Sequence, residues 1–113
     1  MPINFKHQKI GLLGAGSWGT AIASIITNKH NINWWVRRED QINQIQTTSI
    51  NKRYLPTLKL PTSKISFSSS LEEVISNSSI LIIAIPSEYI DEYISEHKAT
   101  LKDKIIISAV KGV

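Results

Sequence analysis

Apolar residues in this chain gather in short runs that alternate with amphipathic stretches. Lys9-Ile10-Gly11-Leu12-Leu13 is an apolar stretch of strand length, and Trp18, Ala21, Ile22, Ile25 and Ile26 then recur at i, i+3, i+4, i+7 and i+8, one face of a helix. The pattern predicts a strand over 9–13 and a helix over 17–29. Ile32-Asn33-Trp34-Trp35-Val36 reads as a second strand with its two tryptophans on opposite faces, and Asp40 to Thr47 as a short helix carrying Ile42 and Ile45. The stretch 48–63 holds Pro56 and Pro61 and reads as loop or broken helix. A short strand near 64–67 follows, and Ser70-Leu71-Glu72-Glu73 offers a capping box for a helix to about Asn77. Ile80-Leu81-Ile82-Ile83-Ala84-Ile85 is unbroken apolar, as in a strand buried on both faces of a parallel sheet. Pro86 stops it, Ser87 is placed to cap the next helix, and that helix carries Tyr89, Ile90, Tyr93 and Ile94 on one side. Lys104 to Val110 predicts another buried strand.

Strands alternating with helices imply right-handed crossovers and an α/β fold: a Rossmann-type doubly wound parallel sheet with helices on both faces. In such a sheet a ligand sits beyond the carboxyl ends of the strands, where the strand order reverses. Gly14–Gly19, Arg37-Arg38, Pro86-Ser87 and Lys111-Gly112 all fall at such ends. The first of these, Gly14-Ala15-Gly16-Ser17-Trp18-Gly19, lies between a strand and a helix and predicts a diphosphate site. Gly14 turns the chain off the strand, Gly16 lets a phosphate approach the backbone, and Gly19 lets the helix lie close to the sheet. The unpaired N–H groups of the first helical turn, aided by the helix dipole, then face the anion. Trp18 either borders the cofactor or packs at the helix start.

The totals narrow the classes. At 113 residues, 42% hydrophobic and 19% charged, the chain is one domain's worth and can build a core. Its formal charge of +4 attracts anions, yet no run of five basic residues occurs, so a phosphorylated cofactor and substrate are expected and nucleic acid is not. There is no cysteine, which excludes disulfides and thiolate chemistry. His7, His30 and His97 lack metal-ligand spacing, and no metal site is expected. The N-terminus has no signal-peptide core, and the longest apolar run is far below spanning length, so no membrane insertion and a cytoplasmic location are expected.

The end of the second strand chooses between dinucleotides. An acid there binds the ribose hydroxyls of NAD and repels a 2′-phosphate, whereas this chain has Arg37-Arg38. A guanidinium makes a forked, charge-assisted contact with phosphate that is worth roughly ten- to hundredfold in affinity. NADP(H) is therefore expected to be preferred over NAD(H). Glu39 and Asp40 pull the other way, because a shift of register brings an acid to the ribose.

Together these stretches resemble the N-terminal domain of the bacterial NAD(P)-dependent sn-glycerol-3-phosphate dehydrogenases. The matching pieces are Gly14-Ala15-Gly16-Ser17-Trp18-Gly19-Thr20-Ala21, Trp35-Val36-Arg37, Asn51-Lys52-Arg53-Tyr54-Leu55-Pro56, Leu60-Pro61, Ala84-Ile85-Pro86-Ser87 and Lys111-Gly112-Val113. They occur in the family's order and cover the chain from about Lys9. Thr57 departs from the glycine that many members have there. The resemblance implies reversible reduction of dihydroxyacetone phosphate to sn-glycerol 3-phosphate by NAD(P)H, feeding phospholipid synthesis. It implies cofactor contacts from Ser17 and Trp18 at the diphosphate turn, from Arg37, Arg38 and Tyr54 on the adenosine side, and from Pro86. Lys111 is implied to serve cofactor and substrate alike, and its ammonium would stabilise negative charge growing on the ketone oxygen. It further implies that residues 1–113 form a dinucleotide-binding domain, a fragment of a longer enzyme. A second, helical substrate domain would complete the site, and the full-length enzyme is compatible with a homodimer. A hydroxyacid- or ketopantoate-type dehydrogenase and a non-catalytic nucleotide-sensing module are the alternatives that the glycine turn alone leaves open.

Overall fold

The computed structural model describes residues 8–109. Five parallel strands, β1 (Ile10–Leu13), β2 (Ile32–Trp35), β5 (Ile65–Ser68), β6 (Ile80–Ile83) and β7 (Ile105–Ser108), form one sheet in the order β5-β2-β1-β6-β7. The chain winds outward from β1 through β2 to β5, then returns to the other side of β1 for β6 and β7, so the order reverses between β1 and β6. This is the doubly wound arrangement, and the α/β expectation holds. The register is regular: Leu12 lies opposite Trp34 on one side and Ile82 on the other. All four residues of β1 and of β6 are buried, as unbroken apolar runs in the middle of a parallel sheet require.

The alternation of side chains sorts the core into two layers. On one face Leu12, Trp34 and Ile82 pack with Ala23 of α1 (Ser17–Ile26), with Ile42 and Ile45 of α2 (Glu39–Thr48), and with Leu60. On the other, Leu13, Trp35, Leu81 and Ile83 pack with Val74 and Ile75 of α3 (Leu71–Ser76) and Ile94 of α4 (Ser87–Ile94), with Leu101 of α5 (Lys98–Leu101) beside them. Trp34 and Trp35 thus serve opposite layers. Each indole N–H finds a carbonyl, Trp34 that of Gly14 at 2.8 Å and Trp35 that of Ser69 at 3.0 Å, so neither layer holds an unsatisfied donor there.

Four elements differ from the sequence pattern. Helix α1 buries Gly19, Thr20 and Ala23, while Trp18 and Ile25 of the predicted apolar face are exposed. Small residues lie nearest the sheet, where the close approach leaves little room, while Ile22 and Ile26 of the predicted face pack beside them. The same helix ends at Ile26 rather than 29: the Thr27 hydroxyl donates to the Ala23 carbonyl, and turn bonds carry the chain to His30. The stretch read as loop or broken helix is an antiparallel hairpin, β3 (Ile50–Asn51) and β4 (Leu55–Lys59), with an irregularity between Ile50 and Asn51. Ser49, at φ 62, reverses the chain out of α2, and Pro56 is tolerated because a two-stranded ribbon leaves its nitrogen without a partner to lose. Leu60, 2% exposed, anchors the exit of the hairpin in the first layer, a burial worth about 1.5–3 kcal/mol. The third difference is β7. It exists, but as a sheet edge, with Ile105, Ile106 and Ile107 exposed among the described residues. An apolar run does not distinguish a central from an edge strand. Fourth, Ser87 is the first residue of α4 and caps nothing; Pro86 stands at the N-cap.

The capping box at α3 is built as a relay. The Ser70 hydroxyl accepts from the Glu73 N–H, the Ser70 N–H donates to the Ser68 hydroxyl, and that hydroxyl donates to the Glu73 carboxylate.

Candidate functional site

The turn between β1 and α1 is held from behind by side chains. Gly14 takes φ +113, which an L side chain rarely adopts, and its N–H donates to the Trp35 carbonyl at 3.2 Å. The next three carbonyls each receive donors from the protein. The Gly14 carbonyl accepts from the Trp34 indole at 2.8 Å. The Ala15 carbonyl accepts from Gln41 Nε2 at 2.9 Å and Asn51 Nδ2 at 3.1 Å. The Gly16 carbonyl accepts from the Thr20 hydroxyl at 2.7 Å and the Thr20 N–H at 3.0 Å.

A trans peptide is planar and sets each carbonyl opposite the following N–H. Tying the carbonyls of residues 14, 15 and 16 to interior donors therefore turns the N–H groups of Ala15, Gly16 and Ser17 the other way. These three, and the N–H of Trp18, have no hydrogen-bond partner among the described residues. They lie at a helix N-terminus and form a concave set of donors aimed at an open cleft, an arrangement that suits an anion. A Cβ at Gly16 would meet nothing within 4 Å, whereas one at Gly19 would stand 2.3 Å from the Gly14 carbonyl oxygen. The space over Gly16 is open to a ligand; the space over Gly19 is filled by the turn itself.

The cleft, of about 840 Å³, runs across the carboxyl ends of β1, β2 and β6. It gathers Gly14, Gly16, Ser17, Trp18, Gly19, Arg37, Arg38, Tyr54 and Pro86, the candidate positions from four separate stretches. Lys111 lies outside the described residues. Trp18 is half exposed at the rim, and its indole N–H donates to the carbonyl of Ala109.

The arginines part company. Arg37 Nη1 donates to the Tyr93 hydroxyl at 3.1 Å, and the Tyr93 ring packs edge-on against Trp35. Arg38 makes a forked pair with Asp40, Nε to Oδ1 at 3.1 Å and Nη2 to Oδ2 at 2.7 Å. That hydrogen-bonded pair raises the Arg38 pKa and holds the Asp40 carboxyl below the usual carboxylate range, so it is closed at neutral pH. The hairpin supplies the third side: Ser17 Oγ donates to the Tyr54 carbonyl at 3.0 Å, and the Arg53 guanidinium lies 5.5 Å from the Tyr54 ring centroid.

Several cleft residues were not legible as such in the sequence. Gln41, Arg53, Tyr89 and Tyr93 line it. Arg53 was visible only as a neighbour of Tyr54, and the tyrosines were assigned to the apolar side of α4. In the event Ile94 is buried, Ile90 and Tyr93 are half-buried, and Tyr89 stands in the cleft rim.

A sheet of this order with an outward-facing amide turn at its reversal point defines a Rossmann-type domain. The chain belongs to the NAD-dependent glycerol-3-phosphate dehydrogenase N-terminus family, whose model matches residues 9–113. It is 42% identical over 109 residues to a glycerol-3-phosphate dehydrogenase [NAD(P)+] of Thermoanaerobacter sp. (strain X514), covering 94% of this chain and 32% of that protein. The enzyme of the same name from Bacillus subtilis (strain 168) is 36% identical over 108 residues, covering 94% and 31%. The crystal structure of glycerol-3-phosphate dehydrogenase from Coxiella burnetii superposes with a TM-score of 0.81 at 29% identity, covering 94% of this chain and 33% of that one. The chain thus spans about a third of the length of the curated relatives it matches.

Proposed function

We propose that residues 1–113 are the dinucleotide-binding domain of an enzyme that interconverts dihydroxyacetone phosphate and sn-glycerol 3-phosphate with NAD(P)H. The observation that carries this is the row of unpartnered N–H groups at Ala15–Trp18, facing a cleft whose far end carries Arg37 and Arg38. The donors match a diphosphate, and the guanidiniums match the adenosine end of a dinucleotide. The family and its NAD(P)+-named relatives support the reaction. When bound, the nicotinamide supplies or accepts the hydride. The chain's own share is to hold the diphosphate at residues 14–19, to border it with Trp18, and to grip the adenosine side with Arg37, Arg38 and Tyr54. Groups that hold the substrate phosphate are assigned to the rest of the enzyme, in keeping with the greater length of the relatives.

Lys111 is assigned to the reacting end, where its ammonium stabilises the charge that grows on the ketone oxygen. Trp18 supports this, since it ties the diphosphate turn to Ala109, two residues before that lysine. In the full-length enzyme Lys111→Ala is expected to depress turnover and substrate affinity far more than NADPH affinity. Unchanged steady-state kinetics would remove the role.

NADP(H) is the preferred cofactor in this proposal, with NAD(H) as the second. Asp40 occupies the Arg38 fork that a 2′-phosphate would use, so it competes with NADPH and leaves NADH untouched. Asp40→Asn is expected to tighten NADPH binding about two- to fivefold, in the range of exposed ion pairs, with little change for NADH. Calorimetric titration of the intact protein with both cofactors tests the whole assignment. Failure to bind either one sinks the dinucleotide function, and tighter NADH binding sinks the preference. No helix among the described residues is long and apolar enough to cross a membrane.

A further inference from the structure

Asn51 is a polar side chain with 0% exposure that does not line the cleft, in a hairpin that the fold does not need to complete its sheet. Its amide is fully engaged. Nδ2 donates to the Ala15 carbonyl at 3.1 Å and to the Thr20 hydroxyl at 2.9 Å, and Oδ1 receives Gln41 Nε2 at 3.4 Å. The Thr20 hydroxyl in turn donates to the Gly16 carbonyl. One side chain therefore holds the Ala15 carbonyl directly and braces the Thr20 hydroxyl that, with the Thr20 N–H, holds the next one. By peptide planarity it sets the direction of the Gly16 N–H.

We infer that Asn51 is a positioning residue for diphosphate binding: by holding the Ala15 carbonyl inward, it aims the following N–H, that of Gly16, into the cleft. The inference rests on the dinucleotide function proposed above and goes beyond it, because Asn51 itself touches no ligand. Donors aimed in advance cost no reorganisation when the anion arrives, and that is where the affinity comes from. Without Asn51 the Ala15 carbonyl retains only Gln41, and the Ala15–Gly16 peptide is held less firmly.

The test compares two adenosine ligands: ADP-ribose, which carries the diphosphate, and 2′-AMP, whose single phosphate lies on the 2′ side and which has no diphosphate. Asn51→Leu keeps the branched shape and the number of heavy atoms, removes the donors and adds no charge beside the anion. In the intact protein it is expected to weaken ADP-ribose and NADPH about tenfold or more, with 2′-AMP changed less than about twofold. Gln41→Leu, which removes the other donor to the Ala15 carbonyl, is expected to show the same ligand bias at smaller size. Asn51→Ala, which is smaller than the native residue, serves if Asn51→Leu does not fold, as judged by its melting transition. Equal losses for both ligands, or no loss, overturn the positioning role, because a merely structural residue would not sort ligands by their diphosphate. A wild-type protein that binds neither ligand overturns the dinucleotide function itself, a distinguishable result.

Discussion

Gly16→Ala is expected to leave the protein folded and to cost at least about hundredfold in dinucleotide affinity, or about 2.7 kcal/mol. The Cβ of an alanine at 16 meets no atom within 4 Å, and the backbone there, at φ −79 and ψ −165, is extended and open to any residue. Replacing glycine at such a position restricts the unfolded chain, so the melting temperature should hold or rise slightly. Binding suffers for the opposite reason. The emptiness over Gly16 is the approach to the unpartnered N–H groups, and a methyl group there keeps a phosphate out of hydrogen-bond range. Calorimetry with NADPH alongside a melting curve separates the two effects. Wild-type affinity in a folded Gly16→Ala protein would mean that no diphosphate sits on this turn.

Three positions along, the same substitution should do the reverse. At Gly19 an alanine Cβ stands 2.3 Å from the Gly14 carbonyl oxygen and 2.9 Å from its carbon, backbone against backbone. No rotamer relieves that contact, so α1 must move off the turn and give up burial at Thr20 and Ala23. Overpacking of this kind costs about 1–3 kcal/mol or more, a large share of the ~5–15 kcal/mol that holds a domain together. The expected result is a melting temperature lower by roughly 5–20 °C, with whatever folded protein remains also binding weakly. A Gly19→Ala protein as stable as the parent would show that the helix has slack the structure does not contain. The two alanines thus assign one glycine to the ligand and the other to the fold.

The sheet was legible because its strands obey local rules. Ile80–Ile85 and Leu12-Leu13 lie in apolar runs that read as strands and are buried throughout, although the like run at Ile105–Ile107 forms an exposed edge. The turn was legible because glycines at 14, 16 and 19 have distinct steric duties. The hairpin was hidden for a physical reason: Ile50 pairs with Lys59 and Asn51 with Leu55, a register made by tertiary packing and not by hydrophobic alternation. The inner face of α1 was hidden because Gly19 and Thr20 carry no hydrophobic signal, although close approach selects them. Arg38 could be read as a cation, but its partner could not, since a carboxylate two residues away is reached only when the chain bends into α2. Asn51 was legible only as part of the Asn51–Pro56 piece that carries the family resemblance. Its complete burial follows from contacts with residues 15 and 20, which no window around position 51 contains.

The partners of the turn's carbonyls are also far away along the chain: Gly14 is held from 20 residues off, Ala15 from 26 and 36. Bringing such distant segments together is the slow, entropically costly part of folding. The six residues that look like a self-sufficient motif therefore cannot acquire their geometry as a peptide or in an early collapsed state. Anion capture should arise only after β2, α2 and the hairpin have docked, making it a late and global marker of the finished topology.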